Sequence, residues 1–490
     1  MFISRSSGGE SAGLALCEPC ARKRGLSAGH GKIEINIEDL LSAPRQAEGE
    51  RPPASCPVCG MSLARLRKES RLGCPACADA FRADLERHFR SRAEPPFFRD
   101  AAFNVEASED SRDRGRRAPR GPGEAGTVGA DSLIERSLLS DVSQACRKAG
   151  AVGEAASGEG PLDVVLWSEA RLSRNFARHP FAEACAPEVG GLELVPLSAV
   201  SEPVKRALVE NSRISRGYAF EADSLVAVDA DPRRCFLFGK ADQLCVVARL
   251  PGPSSRAAYA LAREGLEAKA WPEPFAFDPE FGYLASRVEG CGTGLGLSAE
   301  LHLPALAASG LVDKALRSLM AAGLAVRGFY GADAGSAGDL YEISTEWSYG
   351  ARASDMAAAF DDSLSRLAES ERRARLEIAR KESEAILDRA GRAIGILGHC
   401  RYVDPVEAAE LLSALRLAGL SGLASGVDTE RLGLLLRSLG PASLSLIARG
   451  CGLSPPAARR RGEDRLRALF LAGVIGGVAL NEGGAPCSKA

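Results

Sequence analysis

The 490-residue sequence has no excess of charge of either sign, because 62 basic residues stand against 64 acidic residues for a net charge of −2. A chain without a strong overall field is not drawn as a whole to nucleic acid or to membranes, so charged recognition must be local. No run of about eighteen apolar residues occurs, and the polar opening MFISRSSGGESAGLAL does not resemble a signal peptide. We therefore expect a cytoplasmic protein that does not enter the membrane.

The placement of cysteine is the least ordinary feature of the composition. Of 14 cysteines, those in the first 77 residues form three Cys-x-x-Cys pairs, whereas the others occur singly. This distribution favours metal binding in a reducing compartment over a disulfide framework. The length allows about two to four domains.

Two of these pairs lie close together, in residues 50–104. Four thiolates suit tetrahedral zinc, and a closed shell of four leaves no position for catalysis, so the predicted role of the metal is structural. We predict a zinc ribbon here, followed by a helix from about Asp79 to Arg92. The ligands are Cys56 and Cys59, then Cys74 and Cys77 after fourteen intervening residues.

Residues 105–131 contain almost nothing apolar to bury and are rich in Gly, Pro, Ser and mixed charge. Such a composition predicts a disordered linker. Its arginines, among them Arg112 and Arg120, could touch nucleic acid. The four acidic residues between Glu106 and Asp113 and the lack of interleaved aromatics favour a solvated linker instead.

An ordered set of motifs lies between Ala276 and Gly350. The Gly-rich Gly292-Thr293-Gly294 is followed by HLPAL, and a strand-like LAVRGFYG then leads through a second loop to YEISTEW. This order resembles the bacterial protein-arginine kinases of the phosphagen (ATP:guanidino) kinase superfamily, over roughly Leu162 to the C-terminus. The resemblance implies an α+β protein, with an antiparallel sheet flanked by helices over 132–352 and a helical domain over 353–490.

The N-terminal part resembles the zinc-binding activator protein of such kinases. A pair at Cys17 and Cys20 is followed by an amphipathic stretch from Ile33 to Pro44 and then by the zinc ribbon. The activator family has a further pair upstream, which is absent here. Residues 1–49 are therefore either a partial finger or the result of a start codon assigned too far downstream. His30 is either a third metal ligand or an ordinary surface histidine.

The resemblance implies five phosphate-binding arginines, of which this chain keeps two, Arg171 and Arg327. A carboxylate in place of a phosphate ligand is repulsive, by on the order of 1–4 kcal/mol at a few ångströms. We therefore expect ATP with Mg²⁺ to bind weakly at most, through Arg171, Arg174 and Arg327. The positions at which arginine is replaced are Glu169, Cys245 and Gly296.

The guanidinium-binding motif of the resembled family is also degenerate. Where the family has Asn-Glu-Glu-Asp-His, this chain has Gly239 to Gln243, and only Asp242 is retained. Lys240 and Ala241 replace the paired carboxylates, and Ala332 replaces an acidic residue of the last loop. A guanidinium, which is protonated at working pH, would lose both its charge partner and its base.

The sequence after Gly350 has helical periodicity. Ser354 and Asp355 can begin a helix that runs towards Asp388, and Asp404 followed by proline is a typical N-cap. The charge-dense segment from Ser370 to Glu384 is predicted to be an exposed helix with i,i+4 ion pairs.

Near the end, EDRLRA resembles an Arg-Asp-x-x-Arg-Ala element through which family members bind phosphoarginine. Asp464 and Arg467 match, and Glu463 replaces the first arginine. The resemblance also implies a homodimer formed through this helical domain.

Two functions compete. The first is a catalytically impaired kinase fold (a pseudokinase), fused to its activator, that regulates protein quality control or the stress response. By resemblance it would bind a Clp chaperone or protease component, a stress regulator or an active arginine kinase. The second is an active ATP-dependent kinase that phosphorylates arginines on proteins destined for Clp degradation. A third function, nucleic-acid binding by the zinc ribbon, is disfavoured because no aromatic residue precedes Phe81 in that ribbon.

Replacement charges would distinguish the first two functions. Missing carboxylates could come from Asp223, Asp333 or Glu346, and the charged residues nearest the altered loops are Arg249 and Glu289. Their side-chain directions cannot be read from the sequence. The deciding question is whether the predicted cleft still gathers positive charge and one carboxylate.

Overall fold

The computed structural model describes residues 2–7, 10–15, 54–92, 129–139, 162–181, 192–221, 223–229, 231–239, 242–329, 336–450 and 461–481. The chain divides into two compact units, residues 1–51 and 52–490. The first contains an antiparallel hairpin of β1 (Phe2–Ser7) and β2 (Glu10–Ala15). Several predicted features lie outside the described residues: the linker up to 128, Cys17, Cys20, His30, Lys240, Ala241, Ala332 and Asp333.

The second unit begins with the cysteine-rich module, residues 54–92. Its helices are α1 (Leu63–Glu69), α2 (Ala76–Ala80) and α3 (Arg82–Arg92). The Ser62 side chain caps α1 by accepting from Arg65 N–H at 3.2 Å. One helix was predicted from about Asp79, whereas the structure has two with a break at Phe81. Phe81 has φ −120° and ψ 22° and its side chain is fully buried, so core packing takes precedence over helical continuity here.

An antiparallel sheet of eight strands forms the centre of the second unit and confirms the predicted fold class. The strand order is β11, β12, β10, β3, β7, β6, β5, β4, and every neighbouring pair is antiparallel. The strands are β3 (Val165–Arg174), β4 (Glu193–Pro196), β5 (Leu225–Val228), β6 (Arg234–Phe238), β7 (Leu244–Pro251), β10 (Leu295–His302), β11 (Leu324–Gly328) and β12 (Leu340–Thr345); a separate hairpin is β8 (Phe277–Asp278) and β9 (Gly282–Tyr283).

The two faces of the sheet differ in chemistry, as alternation along a strand requires. On β3, residues such as Ala170 and Leu172 are buried in the core on one face, where helix α7 (Ser255–Glu267) packs. The opposite face carries Trp167, Glu169 and Arg171, and we call it the cleft face. The helices between the cysteine module and the C-terminal helical part are α4 (Ala130–Ser137), α5 (Glu202–Glu210), α6 (Arg216–Ala219), α7 (Ser255–Glu267), α8 (Pro304–Ala308) and α9 (Val312–Ala321).

The C-terminal part is helical, as predicted, and carries a small hairpin of β13 (Ala424–Ser425) and β14 (Ala479–Leu480). Asp404 caps its helix as predicted, because its carboxylate accepts from Val406 N–H at 2.9 Å and Glu407 N–H at 3.0 Å. Among the described residues, no helix combines the length and apolarity needed to cross a membrane. The helices are α10 (Ala353–Lys381), α11 (Ser383–His399), α12 (Pro405–Leu420), α13 (Thr429–Leu436), α14 (Pro441–Gly450) and α15 (Gly462–Val474).

The prediction of a wholly exposed helix over Ser370–Glu384 is wrong on one side. An exposed i,i+4 pair does occur, between Arg373 and Glu369 at 3.3 Å. Glu371, however, is buried and accepts from the Ala305 and Leu306 N–H groups at 2.8 Å, which caps the start of α8. Arg375 is buried as well, with Asp163 as its ion-pair partner. The helix therefore uses part of its charge to hold the fold.

Candidate functional site

The four cysteine sulfurs of the module converge as the spacing predicts. All four lie within 4.8 Å of one another, with Sγ to Sγ distances of 3.6 Å for Cys56 and Cys74 and 3.5 Å for Cys59 and Cys77. Zinc held at about 2.3 Å by four thiolates needs sulfurs roughly 3.8 Å apart. The Gly73 N–H donates to Cys77 Sγ at 3.4 Å. The cluster therefore fits one tetrahedral zinc ion.

The cysteine module packs on the kinase-like fold and shares a hydrophobic core with it. Phe89 lies 5.3 Å from Phe281 between ring centroids, and the Tyr349 hydroxyl donates to the Phe89 carbonyl. Arg82 forms ion pairs with Asp278 at 2.6 Å and Glu280 at 2.9 Å. The module is therefore docked on the segment that precedes the Gly-rich loop.

On the cleft face, Glu169 lies against the arginine that was predicted to bind phosphate. Its Oε1 is 2.6 Å from Arg171 Nε, and its Oε2 is 3.7 Å from an Arg249 nitrogen. Burial raises the pKa of Glu169, but the charges of Arg171 and Arg249 outweigh burial and hold this pKa below its ordinary value. The carboxylate is therefore ionised, and it neutralises the cations that flank it.

A second buried carboxylate, Glu300, joins the sheet to the helical domain. It lies 2.9 Å from Arg249 Nη2 on β7 and 2.9 Å from Arg437 Nε, just beyond α13. The Arg437 side chain is 1% exposed. The Trp167 ring faces both guanidinium groups, at 5.0 Å from Arg249 and 5.8 Å from Arg437. Of the two charged residues nearest the altered loops, Arg249 thus lies on the cleft face, where it is buried and already has two carboxylate neighbours.

The other replaced positions add no cation. Cys245 pairs in register with Ser173, and Gly296 pairs with Arg171, so both lie on the strands that flank β3. Burial raises the pKa of the Cys245 thiol to about 11, so this side chain is neutral near pH 7. The register therefore places the lost arginine positions around Arg171, where their charge would have acted together.

The three arginines predicted to bind nucleotide do not form one cluster. Arg174 lies on the opposite face from Arg171, where it donates to Thr293 O at 3.0 Å and its guanidinium carbon is 3.6 Å from the Tyr283 ring centroid. Arg327, with a side chain 68% exposed, pairs with Glu342 at 2.7 Å. It shares the cleft face with Arg171 but lies roughly 20 Å away by strand and residue spacing. Their nucleotide role stays a prediction.

Asp242, the retained carboxylate, is half-buried and held by two hydrogen bonds. Its Oδ1 accepts from Asn175 Nδ2 at 2.9 Å and from Ser286 N–H at 2.8 Å. Asp464 and Arg467, predicted to bind phosphoarginine, pair with each other at 2.8 Å. The Arg467 side chain is 1% exposed and also donates to the Val403 and Leu439 carbonyls, at 2.7 and 2.9 Å. Phosphoarginine binding there stays a prediction, in a place where Arg467 also supports the fold.

Comparison with known proteins agrees with both the kinase-like fold and the zinc site. The family described as ATP:guanido phosphotransferase, C-terminal catalytic domain, matches residues 180–374, and the McsA central zinc-finger domain matches residues 54–94. Protein-arginine kinase from Exiguobacterium sp. is 31% identical over 54% of this chain and 80% of its own. The enzyme of that name from Caldanaerobacter subterraneus subsp. tengcongensis is 31% identical over 60% of this chain and 93% of its own.

The chain belongs to the protein-arginine kinase family. It also carries, in the same polypeptide, a zinc-finger domain of the McsA type. Sequence reasoning about this kinase fold missed Trp167, Glu300 and Arg437, which complete the ionic network of the cleft face. Strand alternation would have placed Glu300 on the same face as Glu169 once the register of β3 and β10 was known. No local signal marks Arg437, because its partner is more than a hundred residues away in the sequence.

Proposed function

We propose that this protein is a catalytically impaired member of the protein-arginine kinase family that acts by binding, as a regulator or scaffold in bacterial protein quality control. The observation that carries the proposal is the 2.6 Å ion pair between Glu169 and Arg171. A nucleotide phosphate at Arg171 would have to displace a buried carboxylate that stands where the family has another arginine. The Glu169 carboxylate therefore competes with a nucleotide phosphate for Arg171.

Phosphoryl transfer depends on positioning and on neutralisation of charge, and each strong electrostatic contact contributes roughly 2.7–4 kcal/mol. On the cleft face, Glu169, Cys245 and Gly296 supply none of the three expected cations. Arg249 and Arg437 add positive charge, but Glu169 and Glu300 lie beside them and offset much of it. Loss of several contacts corresponds to several orders of magnitude in rate.

The test is a titration of the full-length protein with ATP, with and without Mg²⁺, beside an assay for phosphoarginine on protein substrates. We expect weak nucleotide binding at most and no detectable arginine phosphorylation. Robust ATP-dependent phosphoarginine formation that Arg327→Ala abolishes would instead establish the alternative, an active kinase acting on proteins destined for Clp degradation.

A pair of substitutions tests the role of Glu169 directly. Glu169→Gln keeps the size of the side chain and removes its charge, so nucleotide affinity should rise by up to about tenfold if Arg171 then meets a phosphate. Glu369→Gln is the matched control, because it breaks an exposed ion pair with Arg373 on α10 and should change affinity little. Equal affinities in all three proteins would mean that Arg171 does not contact nucleotide.

We also infer that the four cysteines hold one structural zinc ion, because the closed sulfur shell leaves no position for substrate. The partners proposed from the family are a Clp chaperone or protease component, a stress regulator, an active arginine kinase and a second copy of the chain. A pull-down of Clp components with the full-length protein, with Arg467→Ala as comparison, tests the first of these. The proposed location is the cytoplasm, which fractionation would check.

A further inference from the structure

The zinc knuckle is joined to the kinase fold by its main chain. Leu72 N–H donates to Ser286 O at 2.9 Å, and Val288 N–H donates to Ser70 O at 2.9 Å, so a short antiparallel bridge forms around Arg71 and Arg287. The next residue of the knuckle is Gly73, immediately before the ligand Cys74. Any movement of this knuckle must therefore move or break the bridge.

The first route from the knuckle ends at Asp242. Ser286 accepts from Leu72 through its carbonyl and donates through its N–H to Asp242 Oδ1, at 2.8 Å. The same Oδ1 accepts from Asn175 Nδ2 at 2.9 Å, and Asn175 Oδ1 in turn accepts from Gln243 N–H at 2.9 Å. Asn175, Gln243 and Ser286 are all buried, so water cannot easily replace a lost partner.

The second route reaches the neighbouring residue, Gln243. Phe181 N–H donates to Gly73 O at 2.8 Å, and Gln243 Nε2 donates to Pro180 O at 3.0 Å. Gly73 itself lies against the sulfurs: its N–H donates to Cys77 Sγ at 3.4 Å, and a Cβ at this position would come within 2.7 Å of Cys59 Sγ. The two routes thus begin at neighbouring residues, Leu72 and Gly73, just before Cys74, and end at two adjacent residues.

We propose that the zinc knuckle positions Asp242, so that metal binding by the four cysteines and the placement of this carboxylate are coupled. Asp242 is the retained member of the family's guanidinium-binding motif, and the two hydrogen-bonded routes fix it from both sides. The coupling holds whether or not the protein transfers phosphate, and so it goes beyond the proposed function. It requires only that the cysteines bind zinc. Because coupling between two sites is reciprocal, a change that displaces Asp242 should in turn weaken zinc binding.

The test measures zinc affinity of the full-length protein by competition with a chromophoric chelator. Asp242→Ala removes the acceptor shared by Ser286 and Asn175, and zinc affinity should fall at least about fivefold. Asp242→Asn keeps an oxygen acceptor at the same position and should retain the affinity of the unsubstituted protein. Leu412→Ala, in the core of α12, serves as a control for general loss of stability and should leave zinc affinity unchanged.

A second measurement needs no substitution. Hydrogen exchange of the full-length protein is followed before and after removal of zinc with a chelator. Peptides that contain Ser286, Gln243 and Phe176 should exchange faster without zinc, whereas those from α12 should not change. Faster exchange confined to residues 54–92, unchanged zinc affinity in Asp242→Ala, or a protein that binds no zinc would each overturn the proposal. The kinase assay plays no part in these outcomes, so an active enzyme would leave the coupling intact.

Discussion

The cysteine centre and the cleft face differ in how their charges are balanced. At the centre, four sulfurs of like character converge within 4.8 Å, and such thiolates repel one another unless a cation lies among them. On the cleft face, each carboxylate is met by arginines of the same chain, as with Glu169 beside Arg171 and Glu300 between Arg249 and Arg437. One region is complementary to an external ion, whereas the other is largely complementary to itself.

Under the proposed function, this difference is how the fold keeps its architecture without the chemistry of phosphoryl transfer. A binding site needs groups whose charge is left over after folding, since the ligand supplies the balance. Much of the charge on the cleft face is paired internally, and the network links the sheet to the helical domain. The four sulfurs of the cysteine centre still require a bound cation to offset their negative charge. The predictions below test this contrast, beginning with the largest expected effect.

The first prediction concerns Cys74→Ser. Removing one of four thiolates should abolish tight zinc binding, and with it a contribution on the order of 10 kcal/mol to the folding of the module. Metal analysis should show one zinc per chain in the unsubstituted protein and none in the variant, and proteolysis should cut within residues 54–92. Cys400→Ser, at a cysteine outside the cluster, is the control. Unchanged zinc content in Cys74→Ser would remove the cysteine centre from the comparison.

The second prediction asks whether the two regions are physically joined. Phe281 is buried between the module and the kinase fold, so Phe281→Ala should lower the free energy of unfolding by about 3–5 kcal/mol. Phe277→Ala, at a neighbouring exposed ring, should lower it by less than about 1 kcal/mol. Urea denaturation of both variants measures the difference. Equal, small effects would mean that the module does not stay docked in solution.

The third prediction tests the self-complementary cleft. Arg437→Met keeps most of the side-chain volume but leaves buried Glu300 with Arg249 alone, so the free energy of unfolding should fall by about 3–5 kcal/mol. Arg327→Ala breaks an exposed pair and should change stability by about 0–1 kcal/mol. Denaturation midpoints report both effects. A negligible effect of Arg437→Met would show that the network is not a structural link.

The fourth prediction uses Glu371, a buried carboxylate held mainly by backbone N–H groups. Burial raises its pKa from 4.5 to about 7, so between these values the folded protein binds more protons than the unfolded chain. The contribution of Glu371 to stability is therefore greatest below this window and falls, by at most about 3 kcal/mol, as the pH rises through it.

The measurement for Glu371 is urea denaturation at pH 5 and pH 8, with Glu371→Gln as the reference that cannot titrate. The stability of the unsubstituted protein relative to this variant should decrease between the two pH values. A relative stability that increases with pH would mean that the two backbone hydrogen bonds outweigh burial and keep the carboxylate ionised in the folded state.

Local patterns made some features of this protein predictable. Cysteine spacing indicated the metal cluster, and the Asp404-Pro405 pair indicated a helix start, because each signal depends on neighbours in the sequence. The sheet came from the family resemblance and from strand-like runs such as LAVRGFYG.

Features that join distant segments could not be predicted in the same way. Helical periodicity shows that Glu371 and Arg375 share a side of α10, but not that Ala305, Leu306 and Asp163 cover that side. The pairing of Glu300 with Arg437 depends on strand register and on how the helical domain meets the sheet. The docking of the cysteine module on the segment that precedes the Gly-rich loop likewise had no sequence signal.

The bridge between residues 70–72 and 286–288 affects how the sequence of this contact can change during evolution. Its hydrogen bonds join peptide groups, and a peptide group is the same for nearly every amino acid. Most single substitutions along the seam therefore leave the hydrogen-bonding pattern intact, and proline is the main exception because it lacks the donor. The sequence of the bridge can therefore change while its hydrogen bonds remain, whereas docking contacts such as Phe89 with Phe281 and Arg82 with Asp278 depend on the side chains.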